Sequence, residues 1–246
     1  MRIEPKLSSF ESDGLHILWD ERAYEAGLLA GFTDRRGGAS EAPYDTLNLA
    51  ARVGDDAEPV QENRKRVALA LGFDADSLAL CRQVHGTNTI EVHPGDQGVI
   101  GSADGLVARA GGPTIGILTA DCAPVIVSGE NGVAVLHAGW RGLVAGVIEA
   151  GLARLGGPEA AWVGPSIRSC CYEVGSEVVD AFRARGLPVA APGRVDTADA
   201  ARAALMDAGV SRVAVVDACT HCNPDYFSYR RDGVTGRQGA FSALFE

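Results

Sequence analysis

The sequence predicts an α+β fold, a single domain with mixed β-sheets and packed helices, on three observations. Short apolar or β-branched runs bounded by turn residues alternate with longer helical runs. Two neighbouring strand-like runs lie close enough to pair as an antiparallel hairpin through Glu130-Asn131-Gly132. No internal repeat, low-complexity tract or long Pro/Gly/Ser linker divides the 246 residues, a length that can bury a sizeable core as one domain over 1–246.

Along the chain, a helix is expected over 62–71, then strands over 114–118, 124–128 and 133–137. A helix over 143–155 and a strand over 161–163 follow, then helices over 176–185 and 197–208 and a last strand over 212–216. Gly72, Gly156, Gly186 and Gly209 stand where each helix should stop, as C-terminal caps. The loop over 188–193 is the best candidate break, but both flanks read as helices, which keeps it inside the domain.

Composition excludes several classes of function. Hydrophobic residues make up 46% and charged residues 22%, globular values, and no apolar run reaches the roughly 18 residues of a membrane span. Residues 1–6 carry no apolar stretch with a cleavage site, so a cytoplasmic address is the expectation. In a reducing compartment the six cysteines are expected to be buried, catalytic or metal-bound rather than paired. A net charge of −10 argues against a nucleic-acid surface, which needs clustered Lys and Arg.

Two histidines and a cysteine stand out because each sits at the end of an element in a glycine-bearing or polar segment. His85 lies in Gln83-Val84-His85-Gly86, Cys122 in Thr119-Ala120-Asp121-Cys122, and His137 in Leu136-His137-Ala138-Gly139-Trp140-Arg141-Gly142. Three protein ligands leave a fourth tetrahedral position open, the arrangement of catalytic rather than structural zinc. Alone, a cysteine near a strand is more often a small buried hydrophobe. Its neighbour Asp121 is costly to bury unpartnered and is expected to orient a ligand or contact substrate, against the plainer role of a capping carboxylate. After His137, small residues and Arg141 precede a helical run, a seat for an anion such as phosphate; a solvated Arg141 beside a packed Trp140 is the plainer reading.

Further polar clusters read as loops: 33–38 with Arg36, Leu47-Asn48-Leu49, Glu62-Asn63-Arg64 and 227–233. Gly-rich turns with arginines suit anions, and the aromatic-basic run around Tyr229 suits a nucleobase as well as packing. Cys219-Thr220-His221-Cys222 has the spacing of zinc ribbons and redox sites. There is no second Cys-x-x-Cys, and Cys170-Cys171 does not supply the missing half with ribbon spacing, so a structural role is expected for all four.

In order along the chain, these motifs, together with Gly54-Asp55-Asp56 and Cys171-Tyr172-Glu173-Val174-Gly175, resemble those of the laccase-domain proteins. That family was once labelled multicopper polyphenol oxidoreductases and is now regarded as purine nucleoside phosphorylases. The resemblance covers nearly the whole chain. It implies zinc ligation by His85, Cys122 and His137, with phosphorolysis of adenosine, inosine, guanosine and methylthioadenosine and adenosine deamination as a second reaction. Two departures, Arg168-Ser169 before the Cys-Cys pair and Val195-Asp196-Thr197-Ala198 without Trp or Asn, spare the ligands and bear on substrate preference.

Histidine counting separates the family's two labels. A four-copper oxidase uses about ten histidines and a cysteine, whereas this chain has five histidines and no His-x-His pair. Copper is left only as an adventitious occupant of the same three ligands. On the leading reading His85, Cys122, His137 and Asp121 form the catalytic set, Arg36, Arg64 and Arg141 hold phosphate or ribose, and Asn48 positions substrate. The partners are then purine nucleosides and phosphate, with a monomer as the expectation for oligomeric state. Two other readings stay open. One is a cysteine hydrolase or peptidoglycan-editing enzyme with Cys122 as nucleophile and His137 or His85 as base; the other is a zinc-stabilised module that only binds nucleosides.

Overall fold

The computed structural model describes residues 3–245. Two mixed sheets face each other. The first runs in the spatial order β1 (Ser8–Ser12), β2 (Leu15–Trp19), β3 (Leu28–Thr33), β15 (Gln238–Leu244), β8 (Ile115–Thr119), β4 (Ala79–Arg82), β6 (Gly98–Ser102). It is antiparallel as far as β8 and parallel beyond it. The second runs β14 (Arg212–Val215), β11 (Pro158–Val163), β9 (Ala123–Gly129), β10 (Gly132–Ala138), β7 (Gly105–Arg109), β5 (Thr89–Val92), with parallel pairs at its two edges.

Period-two alternation sorts the side chains into three cores. Leu28, Ala30 and Phe32 of β3, with Ile115 and Ile117 of β8, meet Val133 and Val135 of β10 and Trp162 of β11 between the sheets. The opposite face of β9 and β10, with Val125, Val127, Ala134 and Leu136, packs on helices α3 (Trp140–Ala145), α4 (Val147–Leu155), α5 (Ser176–Arg185) and α6 (Thr197–Asp207). Leu29, Leu80 and Phe241 cover α2 (Ala57–Leu71) through Val67 and Leu71. Helix, sheet, sheet and helices therefore stack as four layers. Trp162 is fully buried, worth about 4–6 kcal/mol at ~25 cal/mol per Å². Its Nε1–H donates to Asp20 Oδ2 at 2.8 Å, so the buried indole leaves no orphan donor.

The predicted hairpin forms, with Gly132 paired to Gly129 and Glu130-Asn131 as its loop. Helix α5 matches its predicted bounds, and α6 starts where Asp196 Oδ1 accepts the Ala198 and Asp199 amides, each at 3.1 Å. Three expectations need correction. The helix expected over 143–155 starts at Trp140 and breaks at Gly146, whose φ of +94° ends α3 and starts α4. The apolar period continues through the break and conceals it. Residues 188–193 are not a plain loop: β12 (Val189–Ala191) and β13 (Arg194–Val195) make a small hairpin. Glu62-Asn63-Arg64 lies inside α2 and not in a loop. Asn63 is polar there because it is a hub: fully buried, it accepts from Ala39 N and donates to Ser40 Oγ and to the Thr46 and Asn48 carbonyls.

Candidate metal centre

The chain passes from the first sheet to the second three times by short connections, and each carries a residue of the site. His85 lies between β4 and β5, Asp104 between β6 and β7, and Cys122 between β8 and β9. His137 is added from the end of β10 in the second sheet. Two of these connections hold non-glycine residues in the left-handed region, His85 at φ +60° and Asp121 at φ +90°. Such backbone costs of order 1–3 kcal/mol and persists where its surroundings fix it. For His85 the fixing group is Asp104, whose carboxylate accepts the Val84, His85 and Gly86 amides at 3.2, 2.9 and 2.6 Å. For Asp121 it is a set of three contacts: its carbonyl accepts Ile167 N, Oδ1 accepts the Thr220 hydroxyl at 2.7 Å, and Oδ2 accepts Arg230 N at 2.7 Å.

These connections bring one donor atom each from His85, Cys122 and His137 within 4.8 Å of one another. The two imidazoles meet edge to face at 4.8 Å between centroids. His137 Nδ1–H donates to Asp104 Oδ1 at 2.8 Å, which leaves Nε2 as the nitrogen available to a ligand. Gly139 closes the cradle: a Cβ there would lie 3.0 Å from Cys122 Sγ and 3.2 Å from His85 Cδ2. Burial pushes the Cys122 thiol up, but the charge and hydrogen bonds of His137 and His85 outweigh it and bring the thiol down to about 6. Burial likewise opposes protonation of His137, yet the Cys122 thiolate and Asp104 raise it to about 9. Two nitrogens, one thiolate and a carboxylate behind one imidazole are a donor set that fits a metal ion.

Around the trio lie Tyr172, Arg230 and Tyr229 of the quoted motifs, and Arg237 and Asp104, which the sequence did not single out. Tyr172 sits under the Arg230 guanidinium, 4.9 Å from ring centroid to carbon. Burial, then the Cys122 charge, pushes its hydroxyl up to about 12, with Arg230 and Arg141 pulling the other way. Burial lowers Arg237 from its ordinary value against the opposing charges of Asp121 and Cys122, and it lies 6.0 Å over the Tyr229 ring. Tyr229 is 61% exposed whereas Phe227 of the same run is fully buried. Asp104 had no sequence signal beyond a carboxylate in a Ser-Ala-Asp-Gly turn.

The sequence-derived substrate residues divide. Arg141 is exposed, its guanidinium 4.4 Å over Trp140; α3, of which it is the second residue, has only six residues and Gly139 as an N-cap without a side-chain acceptor. Arg36 is held by Asp34 and Asp225. Arg64 commits Nε and one terminal nitrogen to the Leu49 carbonyl at 2.9 and 2.7 Å. Asn48 is fully buried, donating to Ala50 O and Asp55 Oδ2 and accepting from Ala50 N and Arg237 N. Its place is therefore behind Arg237.

The spacing argument that separated Cys170-Cys171 from Cys219 and Cys222 is corrected: the four sulfurs converge, all within 4.8 Å of one another. Loops, not a ribbon, bring them together. A cavity of about 560 Å³ bordered by Phe73, Pro94, Gln97 and Phe245 has no histidine, cysteine or arginine in its wall and lies apart from the trio's residues.

Residues 29–244 match the family described as multi-copper polyphenol oxidoreductase laccase. The chain belongs to this family. Relatives of the laccase-type family include a Deinococcus radiodurans protein named purine nucleoside phosphorylase, 42% identical and aligned over 94% of each chain. Purine nucleoside phosphorylase YfiH of Escherichia coli is 38% identical over 87% of this chain and 93% of its own. The crystal structure of YlmD from Geobacillus stearothermophilus superposes with a TM-score of 0.86 at 33% identity, covering 98% of this chain and 100% of that one. The laccase-type fold is thus shared along the whole length.

Proposed function

We propose that the chain is a zinc-dependent purine nucleoside phosphorylase, acting on adenosine, inosine, guanosine and methylthioadenosine, with adenosine deamination as a second reaction of the same site. The observation that carries this reading is the convergence of His85, Cys122 and His137, and the names of the relatives support the substrate class. Zinc suits two imidazoles and a thiolate with a fourth position left for a ligand. The other three histidines, His16, His93 and His221, stand outside the group, so a four-copper oxidase lacks its ligands; copper is an adventitious occupant on this reading. No described helix is long and apolar enough to cross a membrane, in keeping with a cytoplasmic enzyme, which we take to be monomeric.

Zinc held by the trio would supply Lewis-acid polarisation of the attacking oxygen, from phosphate at ribose C1′ or from water at purine C6. In phosphorolysis the C1′–N9 bond breaks as an oxygen of hydrogen phosphate bonds to C1′, and the base departs with the proton that the phosphate gives up. The chain's own groups bind and orient. Asp104 keeps the His137 proton on Nδ1 and fixes the His85 loop. Arg141 presents a guanidinium fork suited to two phosphate oxygens, and Arg237, with Nη1 taken by the Thr235 and Gly236 carbonyls, keeps its Nε and Nη2 edge for the same role. Exposed Tyr229 offers a face on which a purine stacks. Asn48 and Arg64 act behind these, on the segments at Arg237 and Leu49, and Arg36, paired with Asp34 and Asp225, is assigned to ribose or phosphate on this reading alone.

One observation favours a second reading: a Cys122 thiol held down to about 6 beside a protonated His137 is also how a cysteine nucleophile is activated. The two part in one experiment, release of free base from adenosine and inosine with and without phosphate, chelator and added zinc. Phosphorolysis requires loss on chelation and recovery with zinc. Activity untouched by chelator but abolished by thiol alkylation would replace it with the cysteine hydrolase.

A further inference from the structure

Of the five cysteines outside the trio, four form a cluster that the proposed reaction does not use. Cys170 and Cys171 come from the turn before α5, and Cys219 and Cys222 from the loop after β14. Their Sγ atoms all lie within 4.8 Å of one another, with Cys171 to Cys222 at 3.0 Å and Cys170 to Cys222 at 3.5 Å. Thiolates on tetrahedral zinc, at about 2.3 Å from the metal, stand about 3.8 Å apart, so the cluster needs shifts of under about 1 Å to enclose one ion. A second observation points the same way. The backbone amide of Arg168 bonds to Cys219 Sγ at 3.4 Å, and those of Cys222 and His221 are directed at the same sulfur. Amides converging on one sulfur satisfy a thiolate in a metal knuckle, since they stabilise its negative charge.

We propose that Cys170, Cys171, Cys219 and Cys222 bind a structural zinc ion, separate from the ion of the His85, Cys122 and His137 site. Four thiolates close every tetrahedral position, which makes the ion a fastener with no room for substrate. The fastened loops are sewn to each other by Thr220 N donating to Ser166 O at 3.1 Å. They also carry parts of the trio's surroundings. Tyr172 follows Cys171 directly, and Thr220, between the other two cysteines, donates to Asp121 beside Cys122. Arg231 adds bonds to the Thr220, His221 and Asn223 carbonyls. Zinc in the cluster therefore holds Tyr172 and Asp121 in place without touching substrate.

The test is metal analysis of the full chain purified under reducing conditions without chelator. Elemental analysis and native mass spectrometry are run on wild type, on a His85→Ala/Cys122→Ala variant and on a Cys219→Ser/Cys222→Ser variant. The expected result is two zinc ions per wild-type chain and one in each variant. Cobalt substitution of the His85→Ala/Cys122→Ala protein should give the intense sulfur-to-metal absorption of a tetrathiolate centre. That arm reads the cluster while the trio is disabled, so it does not depend on the proposed phosphorolysis, and it stands if the cysteine variant fails to fold. No zinc in the His85→Ala/Cys122→Ala protein, iron in place of zinc, or disulfides among the four cysteines in the freshly reduced protein would overturn the proposal.

Discussion

Asp104 Oδ1 accepts both the His137 Nδ1 proton, at 2.8 Å, and the His85 backbone amide, at 2.9 Å. One buried oxygen thus sets the ring orientation of one candidate ligand and the loop position of another. The carboxylate lies below its ordinary range, because hydrogen bonds from His137 and the Gly86 amide outweigh the burial that would raise it. Asp104→Asn keeps the shape but removes the charge and one acceptor. The expected outcome is metal affinity lower by about 10–100-fold, read by competition against a coloured chelator; unchanged affinity would remove Asp104 from the site's support.

Cys122→Ala takes away the only sulfur of the trio. Loss of metal polarisation is worth several kcal/mol, so phosphate-dependent base release should fall by at least about 100-fold, at about 1.4 kcal/mol per decade. Zinc content should fall with it. A variant that retains full zinc and full turnover would contradict the ligand assignment.

Gly139→Ala probes the cradle without replacing a ligand. Gly139 has φ −73° and ψ 161°, which alanine adopts freely, while its Cβ would crowd Cys122 Sγ and His85 Cδ2. Metal affinity should drop while the melting temperature of the metal-free protein changes by no more than a few degrees, about 1 kcal/mol or less. Equal losses in both would mean that the glycine serves packing alone.

Tyr229→Ala tests the proposed purine face. Base stacking on an aromatic is worth about 1–3 kcal/mol, so KM for nucleosides should rise by about 5–150-fold with zinc content intact. Steady-state kinetics on adenosine and inosine check it, and an unchanged KM would place the base elsewhere.

Asn63→Ala should be the most damaging of these changes to the fold. It orphans the Ala39 amide and the Asn48 carbonyl around a fully buried position, and leaves the Thr46 carbonyl with the Ser40 amide alone. A loss of about 2–4 kcal/mol is expected, measured by denaturant titration of the metal-free protein, and a loss below about 1 kcal/mol would show that water replaces the side chain.

What the sequence conveys here follows from how local the signal is. Residues 133–137 and 176–185 read correctly because alternation and helical period need only neighbours. Strand β15 escaped, although it lies centrally between β3 and β8, because Gly239, Ala240, Ser242 and Ala243 dilute its apolar pattern. His85, Cys122 and His137 could be nominated by residue type and glycine context. Asp104 could not, since a carboxylate before a glycine has the look of any turn. The four-cysteine cluster failed on spacing for a related reason: loop closure across Ser166 and Thr220, not separation along the chain, decides which sulfurs meet. Nothing in the sequence showed that the Arg64 guanidinium bonds the Leu49 carbonyl, a contact between residues 15 apart.

The three short connections that span the sheets give an ion bound to the trio mechanical reach beyond its own loops. His85 and Cys122 arrive from crossings between the layers, whereas His137 belongs to the second sheet alone. Sliding one layer against the other would stretch the ligand set before it disturbed most strand pairs. By linkage, an ion present at 1,000 times its dissociation constant adds about 4.1 kcal/mol to the cooperative unit. That gain is distributed over the seam between the layers, so depletion of the ion should accelerate amide exchange in β8 and β10 as well as in the loops that hold it.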